Sequence, residues 1–199
     1  MVKPTLIVIA GCNGSGKSSF SNAIVPKGII PYDYDKHFLK TYHRLSDSDI
    51  RDVMAHNIVR AELKEEVLFS IDNQKDFCYE TNFNSTPLYW PEKFKKAGYE
   101  LILVFFCLDS IKEAKRRVQI RVENGGHFVP EAEIENRYML GYRNLNMHFQ
   151  YFDTVHLLNS SYYKKEPRHI LSIREGDVLA TTHLPGFLND LIPTIISLT

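Results

Sequence analysis

The chain alternates short, continuous apolar runs with longer stretches in which apolar residues recur every three or four positions. Such a pattern predicts strands buried on both faces, separated by helices laid against them. The first run, Thr5–Ala10 (TLIVIA), predicts a buried strand. A glycine-rich turn follows at Gly11–Lys17, then a helix over Ser18–Val25 that Pro26 stops. Gly28–Tyr34 (GIIPYDY) reads as a short second strand, weakened by Pro31, which cannot donate to a ladder. A long helix is expected from a cap at Ser46 or Asp47 to about Ile71, with Val53, Ile58, Ala61, Val67 and Leu68 as its inward stripe. Phe77–Tyr79 predicts a third strand, and Pro87–Ala97 a helix closed by Gly98. Leu101–Leu108 (LILVFFCL) is a clear fourth strand, followed by a charged amphipathic helix over Ser110–Glu123 that ends at Gly125–Gly126. Glu131–Gln150 is helical again and Thr154–Leu158 is a fifth strand. The remainder holds a hairpin around Glu175–Gly176 and a short C-terminal helix. Strands separated by helices imply an α/β fold, a mostly parallel five-stranded sheet with helices on both faces.

Composition narrows the classes of function. The 199 residues fit one domain, expected over 1–199, and no repeat or linker divides them. Lys plus Arg (24) balance Asp plus Glu (24), which argues against a nucleic-acid coat or a polybasic membrane anchor. No stretch approaches the roughly 20 apolar residues that span a bilayer. Cys12, Cys78 and Cys107 are too few and too scattered for a disulfide framework or a zinc site, and each sits in or beside an apolar run. They read as small buried residues of a protein in a reducing compartment. The expectation is a cytoplasmic protein with neither membrane nor nucleic acid as its partner.

Residues 11–18 read G-C-N-G-S-G-K-S, the phosphate-loop pattern G-x-x-x-x-G-K-[ST], directly after a strand and opening a helix as that motif requires. Chance places such a pattern in roughly 1% of chains of this length at ordinary residue frequencies. Gly11, Gly14 and Gly16 let backbone N–H groups turn toward phosphate oxygens. Cys12, Asn13, Ser15 and Ser19 complete the cradle, and the helix opening near Lys17 points its positive end at the same anion. Lys17 would reach the β- and γ-phosphates, and Ser18 would place a hydroxyl on Mg²⁺. No N-K-x-D guanine motif occurs, so ATP is preferred to GTP.

Further candidates cluster at the predicted strand ends, where ligands bind in open α/β sheets. Asp33 and Asp35 end the second strand two residues apart and so on one side of it. Either could take a proton from an acceptor hydroxyl or hold water on Mg²⁺. One of them could equally cap a helix starting at Lys36. Glu80, Thr81 and Asn82 end the third strand as a hydrogen-bonding cluster for substrate, or as a loop cap. Arg117 and Arg121, four apart, share a helix face. With Gly125–Gly126 and then Arg137 they outline a flap whose arginines would stabilise a phosphoryl group in transfer. Arg121 and Arg137 are the stronger candidates. His127 could contact a phosphate or close the turn.

With these parts in place the chain resembles the zeta-toxin family of P-loop kinases. The match is carried by Arg117-Val118, Arg121-Val122, Gly125-Gly126-His127, Val129-Pro130, Ile134 and Arg137-Tyr138. Asn144-Leu145, Leu158-Asn159-Ser160 and Leu184-Pro185 extend it over nearly the whole chain. Thr81-Asn82 departs from it, since Glu-Gly-Thr is expected from Glu80 onward. The resemblance implies a three-layer, nucleotide-kinase-like fold with a lid over about 117–138, and ATP and Mg²⁺ as cofactors. It makes Asp35 the general base, Lys17 and Ser18 the nucleotide and Mg²⁺ residues, Glu80 a contact of the acceptor, and Arg121 and Arg137 lid arginines. Well-studied members phosphorylate the nucleotide sugar UDP-N-acetylglucosamine, and a protein antitoxin is a partner such toxins have. Two other readings are a nucleotide-binding regulator held by a partner and a polynucleotide kinase. A complete phosphate-transfer set argues against the first, and the neutral charge against the second.

Overall fold

Leu6, Val8 and Ala10 face one side of the first strand and Ile7 and Ile9 the other, and all are buried. A strand apolar on both faces must lie inside a sheet that is covered on both sides. The computed structural model describes residues 3–126 and 128–199, so His127 lies outside the described residues. That first strand, β1 (Thr5–Ala10), lies between β2 (Phe77–Thr81) and β3 (Glu100–Cys107) in a sheet ordered β2-β1-β3-β4-β5-β6. β4 (Thr154–Asn159) continues the parallel part, and β5 (Arg168–Arg174) and β6 (Asp177–Thr181) add an antiparallel hairpin turning at Glu175–Gly176. α1 (Lys17–Ile24) packs Phe20 and Ile24 on the face that carries Ile7 and Ile9. The opposite face carries the larger core, with α2 (Tyr34–Arg44), α3 (Arg51–Asp72), α4 (Tyr89–Lys96), α5 (Ile111–Glu123) and α6 (Glu131–His148). Two short helices, α7 (Leu188–Leu191) and α8 (Pro193–Ile196), pack there too.

The sheet has six strands where the sequence reading expects five. The strand expected over 28–34 is a single bridge: the Tyr32 N–H donates to Cys78 O and Tyr32 O accepts from the Glu80 N–H. Pro31 removes a ladder donor on one side of that contact. On the other, Asp33 caps α2 by accepting from the Lys36 N–H at 3.1 Å, which turns the chain into a helix. Asp33 and Asp35 therefore sit at a helix start, and period-two alternation is not what sets their directions. The inward stripe expected for α3 is also corrected. Val53, Ile58, Ala61 and Leu68 are exposed, and Ala55, Val59 and Val67 face the core. The 22-residue helix carries apolar residues on several sides, so periodicity alone does not select its buried face.

Two arrangements fix the floor beneath the strand ends. The first is on α6, where Tyr142 OH accepts from the Leu108 N–H and donates to Leu108 O, both at 2.8 Å. Tyr138, one turn earlier, donates to the same carbonyl at 3.0 Å. The second is Arg117 on α5, almost fully buried. It donates to Glu113 Oε1 at 2.6 Å, to Ser160 O and Ser161 O at 2.9 Å, and to Gly14 O at 3.3 Å. The pairing holds the Glu113 carboxyl down at about 2, first through the hydrogen bond from Arg116 and then through that from Arg117.

Tyr142→Phe strands the buried Leu108 N–H. It is expected to lower stability in urea by about 1–3 kcal/mol, and Tyr138→Phe by less, because Leu108 O keeps its second donor. Glu113→Gln is expected to cost about 1–3 kcal/mol at neutral pH. The Glu113 pKa is depressed on folding, so its contribution is complete above the ordinary glutamate value and drains away as pH falls toward about 2. The gap between wild type and Glu113→Gln should close over that window, and a gap independent of pH would refute the ion-pair account.

Candidate functional site

The loop from β1 to α1 turns so tightly that two of its glycines have no substitute. At Gly11 a Cβ would lie 2.8 Å from Phe106 O, and at Gly14, 2.9 Å from Ala114 O, and both residues have positive φ. The loop's polar groups are consequently turned inward. Ser15 Oγ is buried with no hydrogen-bond partner, and Gly16 opens α1 without any side-chain cap, leaving first-turn N–H groups for an outside acceptor. An orphaned hydroxyl, uncapped N–H groups and the positive end of a helix together fit a phosphate chain. Ser19 lines the same hollow. Cys12 is buried, and burial pushes its thiol up to about 11, so it is present as the thiol and contributes backbone.

Lys17 folds back over this loop. Its Nζ donates to Gly11 O at 2.7 Å, to Cys12 O at 3.1 Å and to Asn82 Oδ1 at 3.2 Å. Burial lowers its pKa, and Glu80, Asp35 and Asp33 pull the other way, which places all three carboxylates within electrostatic reach of the ammonium. Glu80 Oε2 accepts from Ser18 Oγ at 2.6 Å. Burial raises the Glu80 pKa against the opposing pull of Ser18 and Lys17.

The substrate cluster expected at 80–82 is thus split by the geometry. Glu80 and Asn82 touch phosphate-loop side chains. Thr81 Oγ1 accepts from the Phe83 N–H at 3.0 Å and caps a turn. Phe83 is fully buried at φ 57, and Asn144 on α6 donates to Phe83 O at 2.9 Å and to Asn84 O at 2.6 Å. A phenylalanine held at positive φ costs about 1–3 kcal/mol, and this clamp is what keeps it there and aims Asn82 at Lys17.

Arg137 donates to Asn13 Oδ1 at 3.1 Å and pairs with Glu133 on its own helix. Arg121 lines the cleft one turn beyond Arg117, with Gly126 against its side chain. Arg117 is a clamp between carbonyls rather than a group facing the cleft's centre. Asp33 and Asp35 line the cleft from the start of α2. The whole cleft encloses about 1520 Å³, against roughly 300–1,000 Å³ for a pocket holding one small molecule. It therefore has room for two substrates. The sequence reading missed its aromatic wall, where Tyr34 stacks on His56 at 6.0 Å and Phe38 on His56 at 4.3 Å. The signal was present in the spacing of Tyr34, Phe38, Leu39 and Tyr42, a helical stripe masked by the strand reading of the residues before it. Among the described residues no group of three or more His, Cys, Asp and Glu side chains is placed to hold a metal ion, and no helix is long and apolar enough to cross a membrane.

No curated protein matches the sequence. Among solved structures the fold is similar to a chain of the Pnkp1/Rnl/Hen1 RNA repair complex, with TM-score 0.55, 21% identity, and coverage of 77% of this chain and 47% of that one. It is similar to the PezAT toxin-antitoxin system of Streptococcus pneumoniae, with TM-score 0.57 and 13% identity over 96% of this chain and 78% of that one. It is also similar to AvrRxo1-ORF1:-ORF2 solved with ATP, with TM-score 0.65 and 11% identity over 88% and 60%. The chain thus spans about half of the first of these and under two thirds of the third. The sequence itself matches the Zeta toxin family over residues 2–167, most of its length, and takes in both the phosphate loop and the arginine helices. The chain belongs to the zeta-toxin family of P-loop kinases.

Proposed function

We propose that this protein is an ATP-dependent phosphotransferase that moves the γ-phosphate of Mg-ATP to a hydroxyl of a small molecule. The observation that carries this reading is the Glu80–Ser18 contact of 2.6 Å beside Lys17, in the cleft that Asp35 also lines. A hydroxyl and a carboxylate are a sufficient protein set for Mg²⁺, which keeps several waters and takes its remaining ligands from phosphates. When bound, the ion would supply charge neutralisation on the phosphate oxygens. Ser18 and Glu80 would hold it. Lys17 would exchange its loop carbonyls for phosphate oxygens. Asp35 would accept the acceptor's proton as the hydroxyl oxygen bonds to the γ-phosphorus and the bond from that phosphorus to the bridging oxygen breaks, releasing ADP. Arg121 and Arg137 would stabilise the charge spread over the moving group. Asp33, already committed to capping α2, supports the wall.

A nucleotide sugar such as UDP-N-acetylglucosamine is the acceptor the family resemblance offers, and it enters the test as one candidate. A protein antitoxin is proposed as a partner on similar grounds, since PezAT is described as a toxin-antitoxin system. Free, buried cysteines at positions 12, 78 and 107 support a cytoplasmic setting.

Incubation with Mg-ATP and a panel of sugars, nucleosides and nucleotide sugars, read by mass spectrometry, should yield a product heavier by one phosphate. Asp35→Ala should lower kcat by about 10²–10⁴ with little change in nucleotide affinity, and Lys17→Ala should lower kcat by about 10²–10³. Nucleotide binding without any phosphorylated product, and with no effect at Asp35, would remove the kinase reading. Acidity supplies a second check. Because burial raises the Glu80 pKa, Glu80 takes up its proton at a higher pH than a solvated glutamate, and a protonated carboxyl does not ligate Mg²⁺. The Mg²⁺ dependence of nucleotide binding should therefore weaken on acidification from above the ordinary glutamate range. In Glu80→Gln that pH-dependent limb should vanish, and its persistence would sink the assignment.

A further inference from the structure

Two adjacent glycines close α5, and the structure gives them different work. The helix ends at Glu123, and Gly125 takes the left-handed turn that stops it, at φ 83. The Gly125 N–H donates to Val122 O and the Gly126 N–H to Arg121 O, both at 2.9 Å. These are the two bonds by which such a stop satisfies a helix's last carbonyls. Nothing lies within 4 Å of the place a Gly125 Cβ would take, so glycine there answers to backbone conformation alone. Gly126 is the reverse case. Its φ lies outside the left-handed region, so its backbone does not require glycine. A Cβ at Gly126 would instead stand 2.5 Å from Arg121 Cγ, 3.2 Å from Arg121 Cδ and 2.9 Å from Arg121 O.

The bond from Gly126 N–H to Arg121 O pins this bare stretch of backbone over the last turn of the helix. The arginine's stem lies against it. Arg121 and Gly126 both line the cleft that holds the phosphate loop. Carbonyls hold Arg117 in place, and Asn13 and Glu133 hold Arg137. At Gly126 the contact that bears on Arg121 is one of shape. A guanidinium at the end of several rotatable bonds stabilises a phosphoryl group in transfer only if it already points at that group. We infer that Gly126 is a positioning residue for Arg121: its missing side chain leaves the slot in which Cγ and Cδ lie, and the slot aims the guanidinium at the phosphate end of the cleft. This rests on the kinase reading above and deepens it.

The test is a double-mutant cycle on the full chain with Gly126→Ala and Arg121→Ala, with Gly125→Ala beside it. Thermal unfolding, turnover with Mg-ATP and nucleotide KM are measured for each. Gly126→Ala should lower kcat about tenfold or more with little change in nucleotide KM. Adding it to Arg121→Ala should change kcat less than about twofold, because no Cγ is left to displace. Gly125→Ala should lower the unfolding temperature and leave kcat within about twofold. A second readout does not depend on the acceptor: the affinity for Mg-ADP with and without aluminium fluoride, a flat anion with the shape of the moving group. Gly126→Ala should weaken the fluoride complex about tenfold, leave Mg-ADP alone unchanged, and add nothing in Arg121→Ala. The inference is overturned if Gly126→Ala matches wild type in both readouts, or if it costs the same with and without the Arg121 side chain. Absence of turnover from wild type with every acceptor would count against the kinase reading, and the fluoride cycle would then decide this one.

Discussion

A buried guanidinium must find acceptors for its donors, and Arg117 finds them in three separate parts of the chain. Glu113 lies on its own helix, Gly14 in the phosphate loop, and Ser160 and Ser161 past β4. Leaving a charge of this kind unpaired in the interior costs several kcal/mol. The three segments are thus obliged to meet where the guanidinium's planar fork allows. The Gly14 carbonyl, once fixed, turns its own loop so that the neighbouring N–H groups face inward. The shape of a loop that has few side chains of its own is in this way set from outside.

A second constraint comes from α6. Tyr138 and Tyr142 hold the end of β3 at Leu108, and Asn144, half a turn further on, holds the segment after β2 through Phe83 O and Asn84 O. β2 and β3 flank β1, so a single helix fixes both neighbours of the strand that carries the phosphate loop. Arg137 is adjacent to Tyr138 on that helix. Its position is therefore set by the floor of the site, which is a different arrangement from an arginine carried on a freely swinging flap. Lys115 on α5 reaches Glu131 and Glu135 at 2.7 and 2.6 Å and joins the two helices above the same floor.

What the sequence made legible follows from where local rules are sufficient. β1 and most of β3 are continuous apolar runs, and a chain cannot expose them, so their places could be read directly. The phosphate loop is equally local, since its glycines answer to backbone geometry alone. The segment 28–34 reads as a strand because two local rules compete there: an apolar run with an aromatic favours a strand, and Asp33, offered by the sequence as the alternative helix cap, favours a helix start. One bridge at Tyr32 is what remains of the first and α2 is the outcome of the second. The roles of Thr81 and Asn82 were illegible for another reason. Their partners, Phe83 and Lys17, are assigned by a positive-φ turn and by a clamp from Asn144 more than sixty residues away, and no spacing rule encodes such a contact.

The separation of charge across the cleft has a topological cause. In a parallel sheet the C-terminal ends of the strands share one edge, so every loop that builds the site emerges there. β1 is central, with β2 on one side and β3, then β4, on the other. The segment from Tyr32 to α2 lies on the β2 side of β1, where Tyr32 bridges Tyr79. Arg117 is drawn to the segment past β4 on the other side, while Lys17 belongs to the central β1 loop itself. Asp33, Asp35, Asp52 and Glu80 all precede β3 in the chain, whereas Arg117, Arg121, Arg137, Lys164 and Lys165 all follow it. An asymmetry along the sequence becomes an asymmetry across the cleft, although the net charge of the whole chain is zero. Neutrality overall therefore says nothing about what either end selects. The cationic half suits a triphosphate even though the chain as a whole is neutral.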